Sequence, residues 1–334
     1  MSVGGWVGHV EFSRIEKRNR PAPPPPICHS VAPHHTMSTS HFQNYRSTLK
    51  TIPSSVQLLD VTKLQPVSAL AEIVGGVTRE PVGERRAIIL FGEVDVQELE
   101  EKSGTIEAAV SAELVGEDDE VVVAEYGFAF IGVLQSDAVE RLLRLPRLQE
   151  IHSLASVEQV TKLLSLLASG NDAVACTLPL AVYLQVKSSE DESATPGFAP
   201  LVKEDMSSPL LVAARALADA DPTLVHFAGL MTTAKLGDAD PLEDEETPLS
   251  DFDLLALQRS QLEQLLGREP SSLGLSMGDN NDYQQAMDAG ATTVHRRSAA
   301  RLLAGRIYKK YLQKKDAWPR TARPVLLEPI DHTT

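Results

Sequence analysis

Cysteine is nearly missing from this 334-residue sequence, with Cys28 and Cys176 the only two. That excludes a disulfide framework and fits a reducing compartment, so a conventional core must hold the fold. Long apolar runs are missing as well. No stretch approaches the roughly 18 consecutive apolar residues that cross a bilayer, so no membrane role is expected. Positive charge is in deficit: 31 Lys and Arg face 46 Asp and Glu, a net charge of -15. Such a surface repels nucleic acid and anionic lipid unless a basic patch is segregated. Beyond the N-terminal segment, the one concentrated basic stretch is Arg296, Arg297, Arg301, Arg306, Lys309 and Lys310. It alternates with apolar residues and reads as the solvated face of a late helix. Paired metal-ligand spacing is missing around Cys28, His29, His34 and His35, so no metal site is expected. The acidic run from Asp238 to Glu246 lacks the fixed spacing and central glycine of a calcium loop.

What is present suits one large α/β domain: 43% hydrophobic and 23% charged residues, enough to bury a substantial core. Residues 1–48 stand apart. Pro21, the Pro23–Pro26 run and scattered His and Ser show almost no amphipathic period, which reads as a disordered extension. Its basic, acid-poor character suits a mitochondrial transit peptide, but the proline run argues against one. The expectation is a cytoplasmic protein with a tail or an over-extended start ahead of Met37.

From 49 to 313 short apolar runs alternate with helix-period segments, followed by a C-terminal tail over 314–334. Candidate strands are Val56–Thr62, Arg86–Gly92, Tyr126–Gly132, Leu148–Leu154, Leu180–Val186, Leu224–Met231, Ser272–Met277 and Thr292–Arg296. Helical stretches between them include Val67–Val74, Asp137–Leu145, Val157–Ala168, Ser208–Ala220, Ser250–Leu266 and Asp282–Ala289, with another from Val96 onward. Strand then helix, repeated about eight times, predicts a single (β/α)8 TIM-type barrel. A doubly wound open sheet is the runner-up, but no G-x-G-x-x-G follows the first strand. Loops over Gly75–Glu84, Ser188–Pro200 and Gly237–Pro248 interrupt the plan.

In such a barrel the chemistry sits at the C-terminal ends of the strands. Lys63 stands there on the first strand, where partial desolvation frees a neutral amine to condense with an aldehyde. The alternative is a surface lysine capping a strand end. Leu273–Asp282 carries a strand ending at Gly278 and a helix starting near Asp282, a natural phosphate seat or an ordinary turn. His226–Thr232 ends in small residues that either admit a ligand or pack tightly.

These residues carry a resemblance. Val61-Thr-Lys-Leu-Gln-Pro66 resembles the V-S-K-x-K-P of the pyridoxal phosphate homeostasis proteins. Phe91–Leu99 is similar to that family's F-G-E-N-Y-V-Q-E-L, and Phe128–Ser136 to its W-H-F-I-G-x-L-Q-S. Val182–Val186, Phe227–Thr232, Leu275-Ser-Met-Gly278 and Asp282-Tyr283 continue the match in the family's order, over roughly residues 55 to 306.

The resemblance implies an alanine-racemase-like barrel that holds pyridoxal 5'-phosphate (PLP) as a Schiff base on Lys63 and serves vitamin B6 homeostasis. Met277, Gly278, Asn280 and Ser298 then lie around the phosphate. The family's V-R-I-G, whose arginine faces the pyridine nitrogen, reads Val294-His295-Arg296-Arg297. His295 holds the arginine's place, and a slip of one or two residues would put Arg296 or Arg297 there, with no glycine following. Other departures are Gln65 for lysine, Val94-Asp95 for Asn-Tyr, and Asp279-Asn280 for Met-Ser. No acid or base for the opposite face is found, since His226 and Tyr183 read as packing residues, so no catalytic residue is assigned. The implied partners are PLP and apo PLP-dependent enzymes, and the implied state is a monomer. A racemase-like enzyme and a degenerate, cofactor-free interaction protein are the alternatives.

Overall fold

The computed structural model describes residues 40–81, 88–116, 122–170, 174–188, 196–202, 205–233 and 249–298. The strands β1 (Gln57–Val61), β2 (Ile89–Glu93), β3 (Tyr126–Phe130), β4 (Leu148–Leu154), β5 (Leu180–Gln185), β6 (Val225–Met231), β7 (Gly274–Ser276) and β8 (Thr293–Arg296) pair in sequence order. Every pairing is parallel, and β8 closes on β1. This is the single eight-stranded barrel that the alternation predicts.

Helices return the chain between parallel strands: α2 (Val67–Arg79), α3 (Val96–Glu113), α4 (Ala138–Leu143), α5 (Val157–Ala168), α6 (Pro209–Ala218), α7 (Asp251–Leu266) and α8 (Tyr283–Asp288). Three of them, α3, α5 and α7, start at side chains that satisfy free N–H groups. Asp95 accepts from Glu98 N, Ser156 from Gln159 N and Ser250 from Asp253 N. Asp95, a departure at the sequence level, is thus the cap of α3. None of the described helices is long and apolar enough to cross a membrane.

Two boundaries differ from expectation. Residues 41–48, assigned to the extension, belong to α1 (His41–Leu49), capped by Ser40 and burying Phe42 and Tyr45. Gly75 and Gly76, read as the start of a loop, continue α2. Both differences have one cause. A Cβ on Gly76 would lie 2.2 Å from Phe42 Cγ, so this glycine makes room for α1 rather than breaking α2. Gly76→Ala gains up to about 1 kcal/mol in helix propensity but incurs ~1–3 kcal/mol of overpacking. We expect a net loss of about 1–2 kcal/mol in a urea melt, with faster amide exchange confined to residues 41–49. Residues 1–39 and 299–334 and the Gly237–Pro248 loop lie outside the described residues, as does the proposed basic helix beyond Arg297.

Side-chain direction alternates along each strand. Leu58, Phe91, Phe128, Val182, Leu275 and Val294 belong to the apolar layer shared with the helices. Their neighbours Leu59, Ala129, Tyr183, Ser276 and His295 therefore face the barrel axis. The interior is divided. Leu59, Leu90 and Ala129, with Ile131, form an apolar half on β1–β3. The other half, on β4–β8, carries His152, Tyr183, Ser276, Thr293 and His295, all buried.

Candidate functional site

At the C-terminal mouth, β1 gives way to a turn at Lys63 and Leu64 before Pro66 opens α2. Leu64 holds a left-handed backbone at φ 63°, unfavourable for a side chain with a Cβ. The turn persists because it is fastened on both sides. Lys102 Nζ donates to Thr62 O at 2.7 Å, and Leu64 N donates to Glu98 Oε1 at 2.6 Å. Lys102 also binds Glu93 at 2.6 Å and Glu98 at 2.7 Å, while the Thr62 hydroxyl donates to Glu93. Burial pushes the Glu93 carboxyl up, against the hydrogen bonds from Lys102 and Thr62. The Lys63 side chain is exposed, and among the described residues its amine has no hydrogen-bond or ion-pair partner.

Two strands away, Gly278 turns the chain out of β7 at φ 89°, where a Cβ would lie 2.5 Å from that of Ala286. The donors that follow are largely taken. Asp279 N donates to Asp282 Oδ1 at 2.6 Å, and Asn281 N to Asp279 Oδ1 at 2.7 Å. Arg297 N donates to Asn280 Oδ1 at 3.0 Å, tying this loop to the end of β8. Ser298 gives both its N–H (2.8 Å) and its hydroxyl (2.6 Å) to the carboxylate of Asp60. Asp60 is fully buried, and burial lifts its pKa to about 6 despite those two bonds. Among the described residues, the Gly278 and Asn280 N–H groups have no hydrogen-bond partner.

Inside the barrel, His152 and Tyr183 rings stack 4.1 Å apart. A hydrogen-bonded chain runs from Glu150 to His152 (2.5 Å), on to Ser276 (2.7 Å) and then His295 Nε2 (2.7 Å). Burial, with His152 adding repulsion, drops the His295 pKa to about 3, so its ring is neutral at physiological pH. Burial and the nearby Glu150 push the Tyr183 phenol up, against a bond from Thr293. Ser276 bridges the two rings, its hydroxyl facing His152 Nδ1 on one side and His295 Nε2 on the other.

The expected site residues divide on this geometry. Lys63, Gly278, Asn280, His295 and Ser298 gather at or just below one mouth. Met277 does not join them: its side chain is fully buried in the apolar layer and its N–H bonds Thr293 O. Arg296 does not face the interior either. Strand parity aims it outward, where its guanidinium lies 3.9 Å over Tyr283 and bonds Thr51. His226, expected to pack, is exposed on β6, while Tyr183 faces the interior polar half. Sequence reasoning missed Asp60, Lys102 and His152. A charge inside the apolar strand Gln57–Val61 was the available signal for the first.

Set against PLP, the mouth fits unevenly. A free amine at Lys63 suits the aldehyde, and a neutral His295 offers an uncharged ring contact in place of a guanidinium. The phosphate end does not fit as it stands: five of its donors are spent on the chain's own oxygens, four of them carboxylate oxygens.

No protein-family model matches the sequence. The chain is 29% identical to the mouse pyridoxal phosphate homeostasis protein over 266 residues, 80% of this chain and 81% of the relative. It is 28% identical to the human protein of that name, covering 76% and 78%. Among solved structures it superposes on PipY of Synechococcus elongatus, with PLP bound, at a TM-score of 0.51 and 23% identity. That match covers 78% of this chain and 99% of PipY. A Bifidobacterium adolescentis protein of unknown function gives 0.54 at 20% identity over 78% of the chain. The two structures support the barrel, and over most of its length the chain is similar in sequence to the pyridoxal phosphate homeostasis proteins.

Proposed function

We propose that this chain is a non-catalytic carrier of vitamin B6 aldehyde, PLP by homology, held covalently on Lys63 for delivery to apo enzymes in the cytoplasm. The observation that carries the reading is the exposed Lys63 amine, without a partner among the described residues, on a turn fastened at Thr62 and Leu64 at the barrel mouth. When bound, the cofactor supplies an aldehyde and an electron-withdrawing ring; an enzyme must add a proton donor or acceptor beside it. Here the interior titratable groups are engaged with one another. Tyr183 stays protonated at neutral pH, and His295 Nε2 is bound to Ser276. A carrier needs the lysine and lacks a use for that second set of groups.

Purified full-length protein mixed with PLP is expected to develop the absorbance band of a lysine-bound cofactor. Borohydride reduction should fix the adduct on Lys63 by peptide mapping, and Lys63→Ala should abolish both signals while melting normally. A panel of amino acids should show no α-proton exchange. Absence of any band leaves the cofactor-free barrel as the correct reading, and sustained exchange makes the protein an enzyme.

A further inference from the structure

We propose that this mouth takes the unphosphorylated B6 aldehyde about as well as its phosphate ester, an inference that rests on the reading of Lys63 above. A phosphate is normally captured by backbone N–H groups and hydroxyls at loop and helix starts. Here those of Asp279, Asn281 and Ser298 already serve the carboxylates of Asp282, Asp279 and Asp60, and Asn280 occupies Arg297 N. An arriving dianion must break these bonds and then lie beside the carboxylates it displaced. Asp60 is the decisive one, because it is fully buried and Ser298 supplies both of its hydrogen bonds. Displacing it strands a charge without solvent.

Attractive groups do not offset this. Gly278 and Asn280 keep N–H groups without a partner among the described residues, but Asp279 stands between them in the chain. Arg296 is committed to Tyr283 and Thr51. Arg297 is exposed, and its guanidinium has no partner among the described residues. An exposed cation of that kind adds no more than about fivefold in affinity. Two charge-assisted hydrogen bonds forgone remove on the order of a hundredfold or more. The loss wins, so the ester gains little over the free aldehyde.

Deoxypyridoxal is the suitable comparison, since it has no phosphate arm and cannot close into a hemiacetal. Full-length protein would be titrated with it and with PLP, trapped by borohydride and mapped at Lys63. Half-saturation for the two is expected within about fivefold, the share an exposed cation can supply. Inorganic phosphate should not compete. Asp60→Ala frees both Ser298 donors and should tighten PLP by about tenfold or more while leaving deoxypyridoxal unchanged. Asp60→Asn keeps an acceptor for Ser298 but removes the charge, and should fall between, with thermal melts confirming that each variant folds. A wild-type preference for PLP of about a hundredfold overturns the proposal, whatever the variants do. Failure of both aldehydes to label Lys63 instead overturns the reading of Lys63 itself.

Discussion

Replacing Lys102 with methionine is expected to remove about 3–5 kcal/mol of folding stability and to slow aldehyde capture at Lys63. Methionine keeps the length and apolar character of the lysine stem, so the loss falls on the ammonium alone. That ammonium contacts Glu93, Glu98 and Thr62 O, with 6% of its side chain exposed and none of Glu93. Glu93 already leaves Oε2 without a partner, so removing Lys102 leaves a buried carboxylate held mainly by the Thr62 hydroxyl. Breaking a buried pair from one side is costly; removing both charges is much less so. Adding Glu93→Gln to Lys102→Met should therefore recover more than half of the stability in urea denaturation. Capture should not recover with it. Thr62 O would still lack its donor and Glu98 its counter-ion, so the Lys63 turn would stay loose. If capture per folded molecule returns to the wild-type rate in the double variant, Lys102 stabilises the fold without positioning Lys63.

The barrel was legible because each element speaks locally. Leu148–Leu154 and Val157–Ala168 carry their period, caps and boundaries within a dozen residues, and the structure keeps both ranges. The missed elements depend on contacts distant in sequence. The turn of α2 around Gly75 and Gly76 looks like a break until Glu113 of α3 is placed against the first and Phe42 of α1 against the second. At the site, Lys63 was found because its position at a strand end is itself the signal. The place of His295 needed the β8 register, which pairs Leu59 with His295 and turns Arg296 outward. A sequence permits either residue inside; the buried Val294 settles the parity. The phosphate end was the hardest to read. Its donors are satisfied across 238 residues of chain, by Asp60 bonding Ser298, a pairing that neither local pattern announces.

Lowering the pH from 6.5 towards 3 should withdraw about 5 kcal/mol of stability through His295 alone, at ~1.36 kcal/mol per pH unit. In the unfolded chain this imidazole protonates near its ordinary 6.5. In the barrel, burial and the neighbouring His152 hold it neutral down to about 3. Between those values the unfolded state binds more protons, so stability falls as pH falls. Asp60 works the other way. Its folded carboxyl takes a proton at about 6 instead of its ordinary 3.8, so acidification across that interval returns about 3 kcal/mol. The window of His295 is wider and extends lower, and its loss prevails. His295→Gln, which keeps a donor for Ser276 but cannot ionise, should flatten the acid limb of stability against pH. Asp60→Asn should raise stability at neutral pH and make the acid limb steeper. Urea melts at a series of pH values separate the two groups by the sign of the change. An acid limb unaltered by His295→Gln would mean that the His295 ring protonates in the folded barrel as readily as in the unfolded chain. The chain through Ser276 to His152 and Glu150 would then accept that proton, making the interior a proton-conducting path rather than a neutral packing layer.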